Sequence, residues 1–165
     1  MMATVDEPTR RDIEAFVYLE ARLADESRYD EWEALVTDDM HYWVPFGPGD
    51  YEPGTRVSYI NDNRARLGTR IRQLATGVHH AQDPPSSMRR VVSNIEILSA
   101  EGDEFEVGSN FVLYEHAVQA TGHLRLWAGR ATHRLRRTSD GLRMAAKKVE
   151  LVNSTSPLPN LPFII

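Results

Sequence analysis

The feature that most constrains the fold is a two-residue hydrophobic alternation that runs from about residue 89 to residue 152. Turn signals at Glu101-Gly102-Asp103 and Asp140-Gly141 interrupt it. This period is typical of strands with one buried face, and Asp-Gly favours a tight hairpin. Strands this long require strong twist or bending, for which Gly108 and Gly129 are the predicted points. This part of the chain predicts an antiparallel meander of four strands, over residues 89–99, 104–117, 123–137 and 142–152.

The first part of the chain has a helical period instead. Apolar residues recur at helical spacing between Ile13 and Ala24, and a second, shorter pattern contains Trp32. A strand is predicted over residues 41–46 and a third helix over residues 58–75. Helices segregated from an antiparallel meander define an α+β fold. We expect one domain over residues 1–165, a cone of N-terminal helices packed on a strongly curved antiparallel or mixed sheet, with extended termini at residues 1–8 and 154–165.

The chain contains no cysteine. This absence excludes disulfides, thiolate nucleophiles and zinc sites with cysteine ligands. It also excludes iron–sulfur clusters, because even a Rieske cluster needs two cysteines beside its two histidines. A redox centre that works with this protein therefore lies in another chain or is held by other ligands.

Charge is distributed unevenly along the sequence. Residues 1–60 contain 14 acidic and 5 basic side chains, whereas residues 120–165 contain 2 and 8. These regions could attract each other within the fold or form complementary patches between subunits. The net charge of −5 argues against nucleic-acid binding. No apolar run is long enough to span a membrane, and the polar N-terminus does not have the pattern of a secretory signal, so a cytoplasmic location is expected.

The most distinctive motif is Ala81-Gln82-Asp83-Pro84-Pro85-Ser86, which stands just before Val92-Ser93-Asn94. It resembles a motif of the β subunits of aromatic-ring-hydroxylating dioxygenases, such as the biphenyl, benzene and naphthalene enzymes, with Gln82 in place of the family's usual Glu. The resemblance covers nearly the whole chain. It departs from the family in the tail, which ends in Phe163-Ile164-Ile165. The other matching segments are Tyr42-Trp43-Val44-Pro45, residues 62–74, Gly129-Arg130, residues 147–151 and Asn160-Leu161.

This resemblance implies a cone of the nuclear transport factor 2 (NTF2)/SnoaL type. It also implies an α3β3 hexamer in which the β subunits form a trimer and contact the α subunits. In that family the α subunit carries the Rieske [2Fe–2S] cluster and a mononuclear Fe(II), and the β subunit is usually structural. The resemblance thus implies that this chain holds no cofactor and no catalytic centre, and that it stabilises an oxygenase that degrades aromatic compounds.

The residues predicted to contact other subunits come from three kinds of feature. The two prolines of residues 84–85 stiffen their loop, and a stiff loop loses less entropy on docking. Aromatic and arginine side chains dominate interface hot spots. The apolar tail is expected to pack on a neighbouring subunit or back over the sheet. The predicted contact residues are His79, Asp83, Pro84, Pro85, Arg89, Tyr42, Trp43, Arg130, Leu161 and Phe163.

A rival hypothesis is a small lyase or isomerase. Relatives of this fold transform small molecules inside the cone, with a buried Asp or His as base and a Tyr as acid. The predicted cavity residues are then Asp38, Asp39, Tyr42 and His80. A metal held by His79, His80 and Asp83 is a further alternative, but adjacent histidines point apart in an extended chain, which favours hydrogen bonding within the loop. A module that binds a hydrophobic ligand without chemistry is the last alternative.

Overall fold

The computed structural model describes residues 3–76, 86–117, 122–159 and 161–165. The helices are α1 (Glu7–Asp25), α2 (Tyr29–Glu33) and α3 (Arg64–Ala75). The strands are β1 (Val36–Pro45), β2 (Ser58–Asp62), β3 (Ser87–Glu101), β4 (Glu104–Ala117), β5 (His123–Thr138) and β6 (Gly141–Leu151). Within the described ranges, no helix is long and apolar enough to cross a membrane.

All six strands form one sheet in the order β2-β1-β6-β5-β4-β3. The four predicted meander strands pair antiparallel with their neighbours, and β1 joins β6 in parallel, so the sheet is mixed. Helix α1 packs against β3 and β6. The predicted α+β class, with helices packed on a curved mixed sheet, is confirmed.

The helix predicted over residues 58–75 is wrong in its first six residues. Residues 58–62 form β2, which pairs with β1 and buries Ile60 and Asp62. The helix begins only after Asn63, whose side chain accepts a hydrogen bond from the Arg66 N–H at 2.9 Å. Asparagine favours this capping position because its amide oxygen pairs with a first-turn N–H that lacks a partner in the helix. The cap, which sequence reading overlooked, is what separates the strand from the helix.

Strand β1 begins at Val36, five residues before its predicted start. Its first residues pair with β6, where the Met144 N–H donates to the Leu35 carbonyl at 2.7 Å. The shorter predicted helix accordingly ends at Glu33. A partner strand more than 100 residues away supplies these hydrogen bonds, so local periodicity gives no sign of them.

Gly129 does not lie at a bulge, whereas Gly108 pairs with Glu96 directly beside a bulge in β3. The β4–β5 register runs without a break through Gly108 and Gly129. The register between β3 and β4 shifts between Ser93 and Glu96, where Asn94 has φ of 54°. Gly129 serves a different purpose, because a Cβ at this position would overlap the Glu150 carbonyl oxygen. It permits the close approach of β5 and β6.

Candidate functional site

The chain's own segment 161–165 packs into the interior of the cone. Phe163, Ile164 and Ile165 have no exposed surface. The Tyr42 hydroxyl donates a hydrogen bond to the Ile165 carbonyl at 2.9 Å and accepts one from the Ile165 N–H at 3.0 Å. The Phe163 ring packs edge-on against Trp127, with centroids 5.6 Å apart. The apolar tail was expected to pack either on a neighbouring subunit or back over the sheet. In the structure it packs within its own chain.

Below the tail, three ionisable side chains from different elements meet in the core. Glu20 of α1, His133 of β5 and Lys147 of β6 are each at most 2% exposed. Lys147 Nζ lies 2.5 Å from Glu20 Oε1, and His133 Nε2 lies 3.6 Å from the same oxygen. Burial by itself would raise the pKa of the Glu20 carboxyl, but Lys147 and His133 outweigh it and hold that pKa well below its ordinary value. Glu20 is therefore ionised at neutral pH and forms a buried ion pair.

A second buried ion pair ties α1 to the edge strand and the tail. Arg90 Nε donates to Asp25 Oδ1 at 2.6 Å, and both side chains are 4% exposed. Asp25 also accepts from the Arg90 backbone N–H at 2.9 Å. The other end of the guanidinium donates to the Ile164 carbonyl at 3.0 Å. Arg90 thus links the end of α1, the edge of the sheet and the tail.

Glu115, also fully buried, anchors the start of β3. It accepts hydrogen bonds from the Ser86 hydroxyl at 3.1 Å and from Trp127 Nε1 at 3.1 Å. Ser86 is the last residue of the motif that contains the two prolines. The point at which that loop enters the sheet is therefore fixed from inside the core.

The space left inside the cone is small. A cavity of about 20 Å³ lies between α1 and the sheet, bordered by Glu20, Ser109, His133 and Lys147. This is room for about one water molecule. Pockets that bind drug-sized ligands have volumes of about 300–1,000 Å³. Glu20, His133 and Lys147 therefore have no adjacent space for an organic substrate.

Of the residues predicted for an enzymatic cavity, the structure describes Asp38, Asp39 and Tyr42, and it keeps Tyr42 apart from the two aspartates. Asp38 and Asp39 are exposed, at one end of the sheet. Arg136 donates to both carboxylate oxygens of Asp39, at 2.9 and 3.0 Å, and holds the pKa of that carboxyl below its usual range. Tyr42 is buried, and burial raises the pKa of its phenol, which is therefore neutral at physiological pH. His80 lies outside the described residues.

The sequence analysis did not predict the buried ionisable residues, although their positions in the hydrophobic pattern indicated them. Glu20 occupies a position on the apolar stripe of α1, between Val17 and Leu23. Lys147 and His133 likewise occupy inward positions of their strands. A charged residue in the buried phase of an amphipathic element predicts a buried pair, because an unpaired charge there is costly. Which residues pair could not be read from the sequence.

The residues predicted to contact other subunits fall into four groups. Tyr42 and Phe163 lie in the core, and Trp43 is nearly covered, with Lys148 Nζ 5.1 Å from its ring centroid. Arg89 and Arg130 remain accessible, although each forms an intrachain ion pair. Leu161 is half-buried. His79, Asp83, Pro84 and Pro85 lie outside the described residues.

The outer face of the sheet carries an apolar region at the end where β3 begins. Val91, Val112 and Ala128 are cross-strand neighbours, and Val152 extends this row through a hydrogen bond from its N–H to the Ala128 carbonyl at 3.0 Å. Tyr114 and Leu126 form the next row. We call this surface the outer apolar patch and define it as Val91, Val112, Tyr114, Leu124, Leu126, Ala128 and Val152.

Residues 19–157 match the protein family described as "Ring hydroxylating beta subunit". The chain belongs to this family. A β subunit of this kind is a component of a ring-hydroxylating dioxygenase, and the resemblance predicted from the sequence motifs is confirmed.

The similar proteins are also small or β subunits of dioxygenases. The chain is 36% identical over 142 residues to the small oxygenase component of the p-cumate 2,3-dioxygenase system of Pseudomonas putida, covering 85% of this chain and 77% of that one. It is 30% identical to the β subunit of biphenyl 2,3-dioxygenase of Rhodococcus jostii, covering 98% and 91%. The crystal structure of the benzoate 1,2-dioxygenase β subunit of Burkholderia mallei superposes with a TM-score of 0.77 at 26% identity, covering 99% and 100%.

Another solved structure is similar to this chain in fold only. An NTF2-like protein with a cystatin-like fold from Novosphingobium aromaticivorans superposes with a TM-score of 0.59 at 16% identity, covering 87% of this chain and 82% of that one. The NTF2-like cone predicted from the resemblance is therefore confirmed as the fold.

Proposed function

We propose that this β subunit is a structural, non-catalytic component that binds the larger subunit of an aromatic-ring-hydroxylating dioxygenase. The observation that carries the proposal is the filled interior of the cone. The chain's own residues 161–165 occupy the position where a catalytic cavity would lie. The cavity that remains has a volume of about 20 Å³. This filling leaves no substrate-sized space inside the cone, which supports a role in binding other subunits.

The iron chemistry of the enzyme belongs to the larger subunit in this proposal. A Rieske cluster needs two cysteine ligands, and this chain has none. Within the described ranges, no three His, Cys, Asp or Glu side chains are grouped so that they could hold a metal ion. The residues of this chain therefore do not fit a Rieske cluster, and the mononuclear Fe(II) is likewise assigned to the partner.

The proposed assembly is an α3β3 hexamer in which the β subunits contact one another and the α subunits. Electron transfer between a Rieske cluster and the mononuclear iron of a neighbouring α subunit requires a fixed geometry, which a rigid β subunit would help to hold. The core ion pairs of Arg90 and Lys147 and the anchored Ser86 support such rigidity. Obligate interfaces of this kind bury roughly 2,000 Å² or more.

The first experiment is co-expression with a Rieske-type larger subunit, followed by size-exclusion chromatography with light scattering and iron analysis. We expect one hetero-oligomer that contains iron, and a β subunit that contains no stoichiometric iron when purified alone. Stoichiometric iron in the isolated chain, or failure to form a complex with larger subunits of the family, would contradict the proposal.

The second experiment tests the filled cone with a small aromatic probe. Titration of the wild-type chain with benzene should show no saturable binding, because the interior has no room for a ring. The Phe163→Ala variant, which removes a fully buried ring beside Trp127, should bind benzene in the resulting space if the fold is retained. Saturable binding to the wild type, abolished by Asp39→Ala, would instead favour a small-molecule site.

A further inference from the structure

We propose that the cavity of about 20 Å³ between α1 and the sheet is a binding site for one water molecule, held by His133, Lys147 and Ser109. The proposal concerns the interior of this chain and goes beyond the proposed function, because it does not depend on which subunits the outside contacts. The ligand is identified by its chemistry: it is small and neutral, and it can both donate and accept a hydrogen bond.

The first observation is a buried imidazole that lacks hydrogen-bond partners in the protein. His133 is 2% exposed and borders the cavity. Among the described residues, neither of its ring nitrogens has a hydrogen-bond partner, and Glu20 Oε1 lies 3.6 Å from Nε2, too far for a hydrogen bond. Buried polar groups of native proteins are nearly always paired with protein atoms or with ordered water. We therefore expect a molecule in the cavity to supply the partner.

The second observation is that further polar side chains border the same small space. Lys147 Nζ lies 2.5 Å from Glu20 Oε1, but an ammonium group has three N–H donors and this contact uses only one. The Ser109 side chain borders the cavity from β4 and is 2% exposed. A buried water molecule needs about 2–4 polar partners and roughly 10–15 Å³ or more of accessible volume. This cavity meets both requirements.

Charge decides between a water molecule and an ion. The formal charges beside the cavity cancel, because Lys147 is paired with Glu20 and Arg90 is paired with Asp25. An added anion or cation would leave an uncompensated charge in the core, which is costly. A neutral imidazole has one donor nitrogen and one acceptor nitrogen, and a water molecule can pair with either. A neutral ligand that both donates and accepts is therefore the one that fits.

The first test is a crystal structure of the full chain at a resolution that shows ordered water, from crystals soaked in sodium bromide in place of chloride. We expect one density peak in the cavity, about 2.7–3.2 Å from a His133 ring nitrogen and from Lys147 Nζ or Ser109 Oγ, without anomalous scattering from bromine. A cavity without a density peak would overturn the proposal. A bromine signal at this position would also overturn it, because the site would then bind an anion.

The second test measures stability in solution. Ala131→Val adds two methyl groups at the wall of the cavity, where they would displace the water molecule. We expect its urea midpoint to lie below that of the wild type, because His133 then loses its partner. The same substitution in a His133→Leu background should lower the midpoint less, since no ring nitrogen is left unpaired.

Two outcomes of this stability cycle would count against the water site. One is a higher midpoint for Ala131→Val than for the wild type, which is the result expected when apolar atoms fill a dry cavity. The other is an equal or larger decrease in the His133→Leu background, which would show that overpacking causes the loss. The crystal structure tests the proposal on the wild type even if His133→Leu does not fold.

Discussion

Tyr42 and Ile165 are joined by two hydrogen bonds, although 123 positions separate them in the chain. The Tyr42 hydroxyl donates to the Ile165 carbonyl at 2.9 Å and accepts from its N–H at 3.0 Å. All of these groups are buried, so water cannot replace either bond. This contact fixes segment 161–165 inside the cone.

We expect Tyr42→Phe to destabilise the fold by about 1–3 kcal/mol, because it leaves a buried N–H and a buried carbonyl without partners. Tyr59→Phe is the matched control: the Tyr59 hydroxyl donates to the carbonyls of Ser154 and Ser156 in a more exposed setting. The measurement is the free energy of unfolding in urea. Equal losses in the two variants would mean that the Tyr42 bonds have no special role in holding the tail.

Lys147→Met should destabilise the protein by about 3–5 kcal/mol, because it leaves the buried Glu20 carboxylate without a cation. Adding Glu20→Gln should recover most of that loss, since the charge then disappears together with its partner. Arg143→Met, which breaks the exposed Arg143–Asp140 pair, is the control and should change stability little. A double variant no more stable than Lys147→Met would argue that packing, and not charge, dominates at this position.

Acid should weaken the fold through Glu20. Burial alone would raise the pKa of Glu20, but Lys147 and His133 lower it by more than burial raises it. The pKa in the folded state therefore lies below the ordinary value of 4.5. A depressed carboxyl pKa contributes stability above 4.5, and this contribution is lost as the pH falls from there toward the folded-state value. The measurement is urea unfolding of the wild type and Glu20→Gln at a series of pH values. The difference between their free energies of unfolding should decrease as the pH falls below 4.5.

The control for this pH series is Asp39→Asn. Arg136 also holds the pKa of Asp39 below its usual range, but the Asp39 side chain is 59% exposed. Solvent screens such a pair, so the difference from the wild type should be small at every pH. A Glu20→Gln difference that stays constant with pH would contradict the predicted linkage.

Gly129→Ala should cost about 1–3 kcal/mol through overpacking, because the added carbon would overlap the Glu150 carbonyl oxygen, a backbone atom within the sheet. Gly108→Ala is the matched control. Its added carbon would meet the end of the Arg130 side chain, which can rotate away. The free energy of unfolding of the two variants checks this difference, and similar losses would show that the contact at Gly129 is easily relieved.

The sequence alone was sufficient for the features that depend on local pattern. Alternation and turn residues predicted a strand over residues 104–117, and β4 spans Glu104–Ala117. The lack of cysteine by itself excluded a Rieske cluster from this chain. Periodicity and ligand chemistry are properties of the residues themselves, which is why they can be read without coordinates.

Only the tertiary structure decided the features that join distant parts of the chain. The parallel pairing of β1 with β6, the burial of Phe163 against Trp127 and the pairing of Glu20 with Lys147 all connect residues far apart in sequence. Each of those residues has a plausible place on its own strand or helix, but its partner depends on how the elements pack. The sequence therefore determined the class of fold and showed that this chain cannot hold a Rieske cluster. Packing decided that the interior of the cone is filled and that the outer apolar patch faces outward.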